Sequence, residues 1–160
     1  MKVFVFGSAG FKNPPIDKLP LSVKKELLSL PQDAEVLVGD CKGVDTLVQQ
    51  FMMKNMPDQK VTVYYSVSAR FTGDASPRNY LAPDNPNWTR KRVDVPFGIT
   101  GRDFYAHKDK AMCRDADCGI AVWDGNSKGT GRNIEDLEKR GKKVSVTHIP
   151  EKRRDYALDR

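Results

Sequence analysis

The chain has 160 residues, 39% of them hydrophobic, which is enough to bury one core without disulfides, and 27 Lys and Arg against 21 Asp and Glu give it a net charge of +6. Its longest apolar stretches run to about six residues, far short of the roughly 20 that span a bilayer, so a membrane partner is excluded. Cys41, Cys113 and Cys118 are odd in number and match no zinc-knuckle spacing, and no charged-then-apolar leader precedes Val3; a reducing, cytoplasmic setting follows, with no metal site.

Residues 2–6, Lys-Val-Phe-Val-Phe, form a short apolar run that ends in Gly7-Ser8-Ala9-Gly10, the pattern of a central parallel strand entering a tight turn. Asn13-Pro14-Pro15 interrupts the chain. Val23, Leu27 and Leu30 then share one helical face, and Pro31 stops that helix. A second strand over 34–38 runs into Gly39-Asp40-Cys41-Lys42-Gly43-Val44-Asp45. From there Val44, Leu47, Val48, Phe51 and Met52 keep a helical period up to Pro57. Gly43 permits close approach of a ligand to the backbone, Lys42 can face a phosphate, and Asp45 lies in the first helical turn, where acids also complement the helix dipole.

Residues 60–66 read as a third strand, after which regularity fails. Residues 67–101 hold seven Pro and Gly with little periodicity, the mark of a binding loop, lid or oligomer arm, in which Arg70, Trp88 and Arg92 offer stacking and phosphate contacts. A helix over 102–115 follows, with Phe104, Lys108, Ala111 and Met112 near one face and Arg114 and Asp115 exposed. His107 reads as a surface residue. The clearest unit comes next: a buried strand over 118–123, a turn from Asp124 through Gly125 to Gly129, a helix from Thr130 carrying Ile134 and Leu137, a stop at Gly141, and a strand over 143–147. Residues 151–160 are a charged tail.

Five strands alternating with helices predict an α/β, Rossmann-like three-layer sandwich spanning residues 1–150. Its sheet is mainly parallel and five-stranded, with order 3-2-1-4-5 and an irregular insertion at about 67–101. The switch point falls between the first and fourth strands, so the three glycine-bearing turns converge on one crevice at the C-terminal ends of the strands.

Strand one ending in Gly7-Ser8, the Val38-Gly39-Asp40 to Gly43-Val44-Asp45 turn, and Lys110-Ala111-Met112 leading through Ala116-Asp117 to Ile120-Ala121-Val122 and Gly129-Thr130 together resemble the SLOG superfamily. That group takes in LOG-type nucleotide phosphoribohydrolases, the DNA-processing protein DprA and small stand-alone domains, and the small YspA-like type is nearest. The resemblance covers the chain except 67–101 and the tail. It implies a nucleotide or nucleotide-derived small molecule held by Gly7, Ser8, Gly39, Gly43, Asp45, Gly125, Gly129 and Thr130, and a homo-oligomer; the ligand's phosphates would then sit at helix N-termini near Lys42 or Lys128. The LOG-type hydrolases carry an arginine and a glutamate where this chain has Lys108 and Asn133, so the usual catalytic pair is absent; Asp136, one turn beyond Asn133, is a displaced carboxylate to consider.

Three functions follow. The first is ligand binding as a sensor or accessory domain, without a dedicated cofactor, a Mg²⁺ ion arriving only with ligand phosphates. The second is cleavage or transfer at a nucleotide N-glycosidic bond, for which Asp45, Asp124 and Glu135 are the candidate acids. The third is DNA binding in the manner of DprA through the basic loops, the basic clusters lying at Arg90–Arg92, Lys139–Lys143 and Lys152–Arg154.

Overall fold

The computed structural model describes residues 1–8 and 18–150. Ala9-Gly10, the Asn13-Pro14-Pro15 break and the charged tail lie outside the described residues. The chain runs β1 (Lys2–Gly7), α1 (Leu21–Leu28), β2 (Glu35–Val38), α2 (Val44–Asn55), β3 (Lys60–Ser68), β4 (Trp88–Val95), α3 (Gly101–Asp115), β5 (Cys118–Trp123), α4 (Lys128–Lys139) and β6 (Lys143–His148). The sheet is parallel throughout, in the order β4-β3-β2-β1-β5-β6. The five expected strands keep their expected order. A sixth, β4, lies in the stretch read as irregular and joins the outer edge of β3 over eight residue pairs, Val61 with Trp88 through Ser68 with Val95.

Both faces of the sheet are covered, which is why its central strands are apolar without alternation. Val3 and Val5 of β1 join Val23, Leu27, Val44, Val48 and Met52 in one layer, whereas Phe4 and Phe6 turn to Ala111, Met112, Ile134 and Leu137 in the other. β4 is different. Only Trp88 and Val95 of its eight residues are buried, since an edge strand pairs on one side and meets solvent on the other. Trp88 is 4% exposed and packs in the first layer against Tyr80, so it is not free to stack on a ligand, contrary to the reading from sequence.

The β3–β4 crossover contains no helix. Tyr80, Leu81 and Ala82 pack on the layer formed by α1 and α2 in its place. This strap is pinned by side chains: the fully buried Gln49 of α2 donates to the Gly39 and Asn79 carbonyls and accepts from the Leu81 N–H. On the other face, α3 is tied to the sheet at Asp115, which was expected to be exposed. Its carboxylate accepts from the Tyr64 hydroxyl at 2.6 Å, Lys91 at 3.0 Å and Arg114 at 3.1 Å. Burial alone would raise this carboxyl, but those three donors outweigh it and hold the pKa at about 2.

At the end of β1, Gly7 has no room for a side chain: a Cβ there would lie 2.5 Å from the Val122 carbonyl oxygen and 2.8 Å from Val44 Cγ2. The Val122 contact is backbone and cannot turn aside. Gly7→Ala is therefore expected to lower stability by about 1–3 kcal/mol or more, as overpacking does, read as a lower denaturant midpoint with an unchanged slope.

Candidate functional site

The turns that follow β1, β2 and β5 meet at Ser8, and the region around it is the candidate crevice. The Ser8 N–H donates to the Val122 carbonyl of β5, its carbonyl accepts from Val44 at the start of α2 at 3.4 Å, and its hydroxyl meets the Ser127 hydroxyl at 2.9 Å. The three turns predicted to converge are thereby joined at one residue. One side of the crevice is the N-terminus of α4. Asp124 shapes the turn before it, accepting from the Asn126 and Ser127 N–H groups at 2.8 and 2.7 Å and from the Ser127 hydroxyl at 3.2 Å. Burial would raise the Asp124 carboxyl, but these donors outweigh it and keep it below the usual carboxylate value. Asp124 is thus occupied in holding the loop. Beyond it, Lys128, Gly129 and Thr130 begin α4, where the backbone N–H groups have no acceptor one turn earlier in the helix. Nothing approaches within 4 Å of a Cβ built on Gly129, and Thr130 is 5% exposed.

The other side is built by the β2–α2 turn and by α3. Gly43, at φ +82°, caps α2 in a conformation that side chains disfavour, and it lets the chain reverse so that Asp45 reaches back to accept from the Cys41 N–H at 3.1 Å. Gly39 is flanked by the two charges that matter here: a Cβ on it would come within 2.5 Å of Asp45 Oδ2 and 3.2 Å of Lys108 Cε. Lys108 is 2% exposed, and its ammonium donates to the Tyr105 carbonyl at 3.1 Å and lies 3.4 Å from Asp109. Asp109 in turn accepts from the Asn133 amide at 3.3 Å. Asn133 of α4 is accordingly held by a carboxylate from α3.

Electrostatics follow from this enclosure. Asp45 keeps some residue surface, but burial of its carboxyl raises it to about 7, and Asp109 and Asp40 push the same way against Lys108 and the Cys41 N–H. Burial would lower Lys108; Asp109, Cys41, Asp45 and Asp40 outweigh it and keep the ammonium charged, above the usual lysine value. Cys41 is raised by burial and by Asp45, so at neutral pH it is a thiol and not a reactive thiolate.

Several neighbours were not singled out from sequence. Asp40, 4% exposed at the tip of β2, accepts from the Arg78 N–H at 2.9 Å and has the Arg78 guanidinium 3.5 Å from its other oxygen. Arg78 also donates to Cys41 Sγ at 3.1 Å and stacks over the Tyr105 ring at 4.4 Å. Asn79 donates to the Asp40 and Cys41 carbonyls and to Thr46. The strap therefore forms a wall of the crevice. Asp40 and Cys41 lie within the turn that sequence picked out, and Asp109 adjoins Lys108, but Arg78 and Asn79 carry no signal in a stretch without period.

Other expected residues stand apart from this cluster. Lys42, Gly125 and Lys128 are exposed around the turns. Glu135 is exposed and makes no hydrogen bond or ion pair among the described residues, and Asp136 is held by Arg140 at 2.8 Å. Arg92 is engaged with Asp94 and with the Ser68 and Phe71 carbonyls, and Arg70 lies over Phe97 at 4.2 Å. No group of three or more His, Cys, Asp or Glu among the described residues is arranged to hold a metal ion. No helix among them is long and apolar enough to cross a membrane. No family model and no curated protein matches the chain.

Asp45 gives a test of this electrostatic reading. Its unfolded value is near 3.8 and its folded value about 7, so the unfolded state releases its proton first, and stability falls as pH rises through that interval. The full interval is worth roughly 4 kcal/mol at most. Asp45→Asn keeps the oxygen that accepts from Cys41. Relative to this variant, the wild-type melting temperature should decline from pH 4 to pH 7 and level off above it; parallel profiles would show that Asp45 ionises normally.

Proposed function

We propose that the crevice binds a nucleotide or a nucleotide-derived small molecule, and that the chain is a SLOG-type domain of the small YspA-like kind acting as a sensor or accessory protein. The observation that carries this is the contrast between the two sides of one crevice. The α4 side offers backbone N–H groups, the positive end of a helix dipole and the Thr130 hydroxyl, all suited to phosphate. Across Ser8 stand Asp40, Asp45 and Asp109 around Lys108, a cluster rich in acceptors, suited to sugar hydroxyls and exocyclic amines. Tyr105, 43% exposed and stacked by Arg78, offers an aromatic surface to a base. Any Mg²⁺ would come with the ligand's phosphates.

Cleavage of the N-glycosidic bond is the second reading, and the raised Asp45 carboxyl favours it. A carboxyl poised near 7 can hold or release a proton at neutral pH, and Asp109 beside Lys108 supplies a second carboxylate able to stabilise an oxocarbenium-like charge. These two replace Asp124 and Glu135 as the acids of choice, the first being bound in its turn and the second lying on the outer surface of α4.

A thermal-shift screen against nucleosides, nucleoside mono-, di- and triphosphates, ADP-ribose and cyclic nucleotides, with chromatography for released base, separates the readings. Ligand at 100-fold its Kd stabilises by about 2.7 kcal/mol, a readily measured rise in melting temperature. Thr130→Val should weaken phosphorylated ligands by about tenfold or more and leave free nucleosides unaffected. No shift with any nucleotide, or equal weakening of nucleosides, would reject phosphate binding at α4. Base release abolished by Asp45→Asn with binding retained would establish the enzyme.

A further inference from the structure

β6 is covered unevenly. Its Val144 and Val146 pack into the layer that α3 and α4 build, whereas Lys143, Ser145 and Thr147 turn to the opposite face. There the edge of α1 reaches β6 through two hydrogen bonds, Ser145 to Glu26 at 2.8 Å and Ser22 with Thr147 at 3.1 Å, and Lys143 and Ser145 stay exposed. Beside these contacts a groove of about 450 Å³ opens at the N-terminal ends of the strands, the end away from the crevice. Val3, Leu30, Cys118 and Ile120 give it an apolar floor, and Lys25 of α1 and Lys143 of β6 stand on its two sides. Neither lysine is in an ion pair among the described residues, and Glu26, the one acid in the lining, is engaged by Ser145. Parallel strands are ordinarily covered on both faces, so a bare face on β6 leaves room for one more segment.

The sequence after β6 has the composition to fill it. Ile149 donates its N–H to the Trp123 carbonyl at 2.9 Å and packs on the layer that includes the groove floor, so the backbone leaves β6 on this side of the sheet. Beyond Pro150 the chain reads Glu-Lys-Arg-Arg and then Asp155-Tyr156-Ala157-Leu158-Asp159, an apolar triplet with an acid at each end. Were that stretch extended, Tyr156 and Leu158 would fall on one side of it. His148 and Lys143 are about 17 Å apart along the strand, and the stretch 149–154 can span about 20 Å, so the triplet can reach the level of the groove.

We propose that residues 155–159 dock in this groove, Tyr156 and Leu158 against its apolar floor and the flanking aspartates against Lys25 and Lys143. The two partners match in charge order as well as in polarity: lysine, apolar floor and lysine meet acid, apolar triplet and acid. The segment completes the layer of α1 and α2 over β6 and has no part in the crevice, so the assignment is independent of what the crevice binds.

Cys118 lines the groove and reports on its cover. In a Cys41→Ser background, with Cys113 0% exposed, the labelling rate of Cys118 by dithionitrobenzoate in the native full chain measures how often the groove is open. Tyr156→Ser with Leu158→Ser removes the apolar contact and should speed labelling about tenfold or more. Asp155→Lys with Asp159→Lys should speed it about two- to fivefold, the worth of exposed ion pairs, and adding Lys25→Asp with Lys143→Asp should restore the slow rate. Docking within one chain also predicts a rate unchanged on dilution. The proposal is overturned by equal labelling in the tail variants, by a charge reversal that fails to restore protection, or by protection lost on dilution, which would put a second copy's tail in the groove.

Discussion

β1 runs out between β2 and β5, and in the space where it ends the backbone must turn away without leaving its polar groups unpaired. Ser8 meets that requirement by bonding to β5, to the start of α2 and to the Ser127 hydroxyl before α4. The close passage of β5 and α2 beside Gly7 is the steric side of the same junction. Once these loops share a residue, the helix N-termini behind them must open on one crevice. The charges of Asp45 and Lys108 are then brought together because Gly39 has no side chain to keep them apart.

The local signals in the sequence that proved informative were those enforced by two-sided burial. β1, β2 and β5 are covered on both faces, so they could be written only as runs of Val, Ile, Leu, Phe and Ala, and such runs are recognisable without neighbours. β4 had no such obligation. Its Thr-Arg-Lys-Arg segment is chosen for an exposed edge, and nothing in it separates a strand from a polar loop. The same asymmetry divides the candidate site. Residues in glycine-marked turns were visible because a turn demands particular backbone chemistry, whereas Arg78 and Asn79 reach the crevice through a register between strap and α2 that exists only after β3 and β4 have paired. Asp109 was hidden for another reason: on a helical face, a single acid next to a lysine looks like ordinary surface charge until the lysine is found to be buried.

Lys108 shows how much of the local electrostatics depends on that burial. An ammonium with 2% exposure is stable only because Asp109, Asp45 and Asp40 surround it, and the raised Asp45 carboxyl feels Lys108, Asp109 and Asp40 in turn. A ligand that donates to Asp45 therefore alters the field in which Lys108 sits. Asp115 on the opposite face contrasts with this. It is held ionised by three donors from β3, β4 and α3 and acts as a fixed anchor for the helix that carries Lys108.

The helix-free crossover between β3 and β4 gives the region a different mechanical character from the rest of the layer. A helix would secure its own backbone through internal hydrogen bonds and would lie on the core whatever its surface residues were. The strap instead owes much of its attachment to two amide side chains, Gln49 from beneath and Asn79 from within. The strap's position beside the β2–α2 turn is consequently written into side chains, Gln49 and Asn79 foremost, and not into the backbone pairing that fixes the sheet.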